Sequence, residues 1–152
     1  MSNIGIKILR LDHFDDQLQL PKYESSQAAG ADIRACLTGK TLIIRPGERV
    51  LIPTGLSLEI PLGFEIQIRP RSGLSLKTNL LVVNSPGTID SDYRGELKIL
   101  MGNFGSDEQI ISHGDRVAQM VLAPVIQANF ELSDNLSKTA RGVSGFGSTG
   151  VN

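Results

Sequence analysis

An all-β protein, a sandwich, jelly roll or barrel, is the fold class that the sequence predicts. Three observations lead there. "FEIQIR" (64–69) alternates apolar Phe64, Ile66 and Ile68 with polar Glu65, Gln67 and Arg69, the period of a strand with one buried face. Short β-rich runs of this kind recur at close spacing, bounded by proline- and glycine-containing turns. No run keeps a helical period beyond about 10–12 residues, the length an ordinary helix needs.

Taken in order, the runs are "IGIKI" (4–8), "TLIIR" (41–45), "RVLIP" (49–53), "GLSLEI" (55–60), "FEIQIR", "NLLVV" (79–83), "ELKILM" (96–101), "EQIIS" (108–112) and "RVAQMVLAPVI" (116–126). Pro46-Gly47, Pro53, Pro61 to Gly63, Pro86-Gly87, Gly105 and Gly114 are the turn signals between them. "GLSLKTN" (73–79) has room for a turn or two of helix. "ANFELS" (128–133) is expected to be the last strand. Residues 1–140 are expected to form one β-domain, with 141–152 as a separate C-terminal segment.

Composition narrows the classes further. With 152 residues, 40% hydrophobic and 20% charged, the chain is long enough to bury a core. A formal charge of -1 gives no electrostatic reason to expect a nucleic-acid or membrane partner. Cys36 is the single cysteine, so no internal disulfide is possible, which suits a reducing, cytoplasmic compartment. "MSNIGIKILRLDHFDD" lacks the apolar core and small-residue cleavage site of a secretory signal. No apolar run approaches the length that spans a bilayer.

Several motif fragments fail on their own chemistry. "GFGSTG" (145–150) fits GxGxxG, but only Val151 and Asn152 follow, leaving no helix to hold a pyrophosphate. "TGKT" (38–41) ends like a phosphate loop, yet Arg34 stands where the first glycine belongs and a strand follows. "DSDYRGELKILM" (90–101) starts like a calcium loop, but Arg94 and Met101 occupy two positions that need oxygen ligands. His13 and His113 lie far apart and no Cys/His spacing suits zinc, so each is expected at the surface or in a turn. "NLS" (135–137) fits a glycosylation acceptor and carries no weight without a secretory signal.

Five polar, glycine-containing segments remain: "AGADIRA" (29–35), "RPRSGLSLK" (69–77), "NSPGTIDSDYRGE" (84–96), "HGDRVAQM" (113–120) and "RGVSGFGSTG" (141–150). Arg71, Ser72 and Gly73 offer a guanidinium, a hydroxyl and backbone N–H groups to phosphate oxygens, and Arg141, Ser148 and Thr149 repeat that chemistry. Asp32 and Gln119 can hold waters around Mg²⁺. Asp90, in a glycine-bounded turn, is a candidate general base. Taken singly, each has a plainer role: Arg71 and Arg116 as surface ion-pair partners, Asp90 and Asp92 as turn formers, Tyr93 as a core or edge aromatic, Asp32 as a strand terminator.

Together, "PRSGLSLK", "GTIDSDYRGEL", "GDRVAQ" and "GFGSTG", in this order, closely resemble the trimeric dUTP pyrophosphatase (dUTPase) family, from about residue 4 to residue 150. Ser144 replaces a usual tail glycine, and Ala31 replaces a larger residue before the aspartate; neither change removes a functional group. The resemblance implies a jelly-roll-like protomer, a homotrimer with shared active sites, and Mg²⁺-assisted hydrolysis of dUTP to dUMP and pyrophosphate, which keeps uracil out of DNA and supplies dUMP for thymidylate synthesis. Asp90 would deprotonate the attacking water. A hairpin from Leu80 to Lys98, including Asn84, Gly87, Thr88 and Ile89, would read uracil through its backbone. Tyr93, packed against the sugar, would exclude a 2′-hydroxyl. Arg71, Ser72, Gly73 and Gln119 would bind the phosphates and the waters of the metal. Residues 141–152 would close as a lid, with Arg141, Gly147, Ser148 and Thr149 on the phosphates and Phe146 over the base. A dCTP deaminase, which shares this fold, and a non-enzymatic nucleotide-binding module are the rival readings; "DSDYRGE" and the presence of Asp90, Arg141 and Phe146 count against them.

Overall fold

The computed structural model describes residues 4–145; the expected lid residues Phe146, Gly147, Ser148 and Thr149 lie outside that span. Eleven strands and one short helix follow one another as β1 (Lys7–Arg10), β2 (Lys22–Tyr23), β3 (Ala31–Arg34), β4 (Thr41–Ile44), β5 (Arg49–Glu59), β6 (Phe64–Arg69), α1 (Ser72–Lys77), β7 (Leu80–Val82), β8 (Gly87–Ile89), β9 (Glu96–Asn103), β10 (Gln109–Ser112) and β11 (Arg116–Pro124). They form a four-stranded sheet β1-β5-β9-β7, a five-stranded sheet β2-β3-β11-β6-β8 and a pair β10-β4. All the strand pairings are antiparallel. The fold is all-β and jelly-roll-like, as expected. Among the described residues no helix is long and apolar enough to cross a membrane.

The core lies between the sheets, and the alternation that identifies the strands also fills it. Ile66 and Ile68 of β6 are buried, with Arg69 outside; Leu97, Ile99 and Met101 of β9 enter from the opposite sheet. Ile44 and Ile111 close one end from the β10-β4 pair. Each such side chain contributes about 1.5–3 kcal/mol on burial. The buried polar residues are paired: the Thr54 hydroxyl donates to the Leu97 carbonyl at 2.6 Å, and the Asn103 amide donates to the Ile44 carbonyl at 2.9 Å.

Three sequence expectations change. Pro53 does not divide two strands, because 49–59 is a single strand with a register shift against β9 between Pro53 and Ser57. Irregular pairing is where a strand tolerates a residue without an N–H, and the Pro53 carbonyl still accepts from Cys36 N at 2.8 Å. "ANFELS" is not a strand: among the described residues regular structure ends at Pro124, and residues 124–144 are all exposed. The last backbone link described from this arm to the sheets is Val125 N–H to the Gly63 carbonyl, 2.9 Å. The expected Leu80–Lys98 hairpin is a double crossing, since β7 pairs with β9 while β8 between them pairs with β6 in the other sheet.

Gly55 fixes the irregularity in β5. Its φ is +68°, and a Cβ there would lie 3.1 Å from the backbone and side chain of Phe14. Its carbonyl accepts from Leu11 N at 2.9 Å, which seats the turn 11–14 against β5. Gly55→Ala should therefore cost about 1–3 kcal/mol in urea unfolding, whereas Gly5→Ala, with open space around it, should stay within about 0.5 kcal/mol. Equal stabilities for the two variants would contradict this packing.

Candidate active site

Five of the expected residues meet where β3, β11 and the start of α1 come together. On β3, Ala31 and Ile33 point into the core, which leaves Asp32 and Arg34 on the other face. Asp32 is thus inside a strand and does not end one. Its register partner on β11 is Gln119, which also sits opposite Arg69 of β6. Immediately after β6, Arg71 turns back across the sheet. Its Nε donates to Asp32 Oδ1 at 2.7 Å and its Nη2 to Oδ2 at 3.2 Å; Arg116 Nη1 donates to the same Oδ2 at 3.1 Å. The Asp32 side chain is only 14% exposed, so these bonds form in a partly desolvated place, where charge-assisted pairs are strongest.

A cavity of about 290 Å³ opens over this cluster, bordered by Glu24, Gly30, Ser72 and Gly73 as well as Asp32, Arg71, Arg116 and Gln119. Gly30 leaves the space that Gln119 Oε1 occupies, because a Cβ there would lie 2.2 Å from that oxygen. The Gln119 amide donates to the Pro70 carbonyl at 2.9 Å, so its oxygen is turned the other way. Arg71 is the N-cap residue of α1, and the first helical N–H groups, on Ser72 and Gly73, have no partner within the helix. Nothing lies within 4 Å of the space where a Gly73 Cβ would sit. The arrangement suits an anion with several oxygens.

A second group forms around β8. This strand is at the edge of its sheet, so Gly87, Thr88 and Ile89 pair with β6 on one side and leave backbone donors and acceptors free on the other. Gly87 is confined, with Asn84 Nδ2 2.9 Å from a Cβ there, which sets the Asn84 amide beside the strand. Beyond the edge, a cavity of about 470 Å³ is bordered by Leu51, Thr88, Ile89, Asp90, Tyr93, Glu96 and Lys98. The Tyr93 ring lies across Gly95, where a Cβ would come within 2.3 Å of the hydroxyl; that hydroxyl donates to the Glu96 carbonyl at 3.0 Å. Asp90 also borders a further cavity of about 620 Å³ that includes Glu65 and Asp92.

Glu96 ties this group to its surroundings. Its Oε1 accepts from Gly55 N and contacts His13 Nε2, both at 2.9 Å, and its Oε2 lies 3.4 Å from Lys98 Nζ. Burial alone would raise its proton affinity, but the Gly55 N–H, His13 and Lys98 together outweigh burial and hold the carboxyl below the usual carboxylate range.

The two groups lie toward opposite ends of β6. Ile89 pairs with Ile66, which brings Asp90 beside Glu65. Asp32 is level with Arg69, four residues further along β6 and three strands across from β8, about 20 Å away at the rise and spacing of strands. One chain thus brings Asp32, Arg71, Ser72, Gly73 and Gln119 together, and separately Thr88, Ile89, Asp90, Tyr93 and Lys98, with Asn84 and Gly87 at the edge of the second group. It does not bring the two together. Arg141 is in the exposed arm, where its Nε donates to the Ser144 carbonyl at 2.9 Å. Taken singly, Arg116 reads in the sequence as a surface ion-pair partner and His13 as a surface or turn residue, while Glu24 and Glu96 are not singled out. The sequence signals for Arg116 and Glu96 were their places inside "GDRVAQ" and "GTIDSDYRGEL". Glu24 and His13 are in no segment of that kind. Among the described residues no three His, Cys, Asp or Glu side chains gather as a metal cluster.

The dUTPase family model matches residues 16–150. The chain belongs to the dUTPase family. Hydrolysis of dUTP, the activity of dUTP diphosphatases, is the chemistry this membership carries. The deoxyuridine 5'-triphosphate nucleotidohydrolases of Roseobacter denitrificans and Bdellovibrio bacteriovorus are each 55% identical over 150 residues, spanning 99% of this chain and 99% of the relative. The dUTPase of Staphylococcus bacteriophage 80alpha with dUPNHPP superposes with a TM-score of 0.86 at 25% identity, covering 98% of this chain and 100% of the phage protein. The jelly-roll-like architecture is thus common to this chain and a dUTPase of much lower identity.

The Glu96 ties make a prediction about acid. A carboxyl whose pKa is lowered on folding contributes stability that is complete above its unfolded value, about 4.5, and is lost as the pH falls through the lower folded value. Glu96→Gln should therefore lose stability relative to the parent near pH 7, and the difference should narrow below pH 4.5 in paired urea titrations. A difference that widens in acid would reverse the sign.

Proposed function

We propose that dUTP is bound and hydrolysed between copies of this chain, with the Arg71 group of one copy holding the phosphates and the Asp90 group of another holding the nucleoside and the attacking water. The observation that carries this is the separation of the two groups along β6. The α-phosphorus is only two bridging oxygens from the γ-phosphate. A base about 20 Å from the phosphate cradle, as the rise and spacing of the strands set it within one chain, cannot reach a water attacking that atom.

The chemistry follows from the residues. Asp90 accepts a proton from water as the water oxygen bonds to the α-phosphorus; the bond from that phosphorus to the bridging oxygen breaks, and pyrophosphate leaves. Arg71 is held in place by Asp32 before any ligand arrives, so its charge needs no reorganisation as negative charge builds on the leaving group. The unpaired edge of β8 offers uracil alternating donors and acceptors. Cytosine reverses two of these, and each unmet buried group costs about 1–3 kcal/mol. Tyr93, fixed across Gly95, forms the wall against which a ribose 2′-hydroxyl would collide.

Asp32 and Gln119 fit magnesium through water. Asp32 already accepts three N–H bonds, of roughly four it can take, so it has a lone pair for a metal-bound water and no room for a metal itself. The Gln119 oxygen supplies a second acceptor on the same side. When bound, the ion would supply positive charge to the phosphates. The charge is needed, because Arg71 and Arg116 are already set against Asp32 and Glu24 around the cavity. Arg141, with Phe146, Gly147, Ser148 and Thr149, would complete the site as a lid.

The arm supports assembly. Ile126, Phe130 and Leu132 are 95%, 94% and 103% exposed, a run of apolar side chains that no other described residue covers. A neighbouring copy is the surface they suit, and the family resemblance implies three copies in a closed ring.

Asp90→Asn should keep dUTP binding while turnover falls about a hundredfold or more, the usual contribution of a positioned base. Turnover within a few-fold of the parent would place the base elsewhere. Refolding Asp90→Asn protein together with protein lacking residues 141–152 should regain activity that neither shows alone, since a mixed assembly contains some intact sites. A panel of dUTP, dCTP, dTTP and UTP, read by pyrophosphate and ammonia release, tests the base and sugar selection and would expose a deaminase.

A further inference from the structure

We propose that Glu96 is a positioning residue of this site: its carboxylate holds the Lys98 ammonium away from Asp90, and His13 and the Gly55 N–H hold the carboxylate. The proposal rests on the reading of Asp90 as the base.

Asp90 borders two cavities, one containing Glu65 and Asp92, the other Tyr93, Glu96 and Lys98. Among the described residues, Lys98 is the single lysine or arginine bordering either of them. An ammonium on a flexible four-carbon stem would settle on Asp90 if nothing else claimed it, and a base already paired to a cation is a weak acceptor for a proton from water. Glu96 makes that claim. Two residues apart on β9, Glu96 and Lys98 share a face while Leu97 and Ile99 enter the core. Glu96 Oε2 is 3.4 Å from the ammonium.

The carboxylate is in turn fixed from behind. Oε1 is shared between Gly55 N and His13 Nε2, each at 2.9 Å. Gly55 is backed by Phe14, and the His13 carbonyl accepts from the buried Cys36 thiol at 3.3 Å. The Glu96 side chain is 13% exposed and cannot swing freely to follow the lysine. The turn 11–14, outside all five glycine-containing segments, thereby acts on the site through Glu96.

The test is a rescue measured in steady-state dUTP hydrolysis. Glu96→Gln should lower kcat about five- to tenfold, the effect of one misplaced, part-exposed ion pair, and leave KM within about twofold. Adding Lys98→Met should return kcat to the value of Lys98→Met alone, because no ammonium remains to reach Asp90. A double variant slower than Lys98→Met alone overturns the proposal and makes Glu96 a structural brace; an unchanged kcat in Glu96→Gln overturns it as well. If Glu96→Gln does not fold, His13→Gln, alone and with Lys98→Met, decides by the same criterion. A loss restored by the methionine supports the proposal, and an absent or unrestored loss overturns it. Asp90→Asn, assayed alongside, separates the two readings. An active Asp90→Asn removes the base assignment itself, whereas an inactive one confines a failed rescue to Glu96.

Discussion

The double pairing of β6, with β11 on one side and β8 on the other, is the constraint from which the rest of the structure follows. An interior strand has no freedom to slide, because a slip by one residue would turn Ile66 and Ile68 out of the core. The Arg71 group therefore has a fixed place beyond one end of β6, and the Asp90 group a fixed place near the other. Neither can move toward the other within a chain. The sharing of sites between copies that we propose is then a geometric response to the span of the sheet, not an elaboration added to a complete site.

Both groups are organised before a ligand is present, in different ways. Around Asp32 the organisation is electrostatic: a half-buried carboxylate receives two guanidiniums, and the planar fork of Arg71 meets it through two nitrogens. Around β8 it is steric. Tyr93 lies where Gly95 has no side chain, and Asn84 lies where Gly87 has none. Rigid placement of this kind lowers the entropy lost when a nucleotide binds.

Much of this is legible in the sequence, and the failures have identifiable causes. Alternation marks β6 and β9 because one face of each enters a core and the other does not. It fails for β3, where the four residues "ADIR" are too short to show a period. It also fails for "ANFELS", whose alternating Phe130 and Leu132 imitate a strand although no partner strand lies beside them in the protomer. Pro53 misleads because a missing N–H suggests a turn, and only the pairing with β9 shows that the strand continues through an irregular stretch. Site residues are legible where glycine and charge occur together, as at Arg71 to Gly73. His13 is not, since its contact with Glu96 spans 83 residues of sequence and depends on where Gly55 directs the turn 11–14.

The exposed arm after Pro124 has a consequence for the order of events during synthesis. The arm adds almost nothing to the core, so the eleven strands can complete a first-order folding reaction as soon as β11 leaves the ribosome. In the proposed assembly a neighbouring copy covers Phe130 and Leu132, in a step whose rate depends on protein concentration. In such an assembly, separating the two steps in time keeps these apolar side chains in water for an interval that lengthens as expression falls.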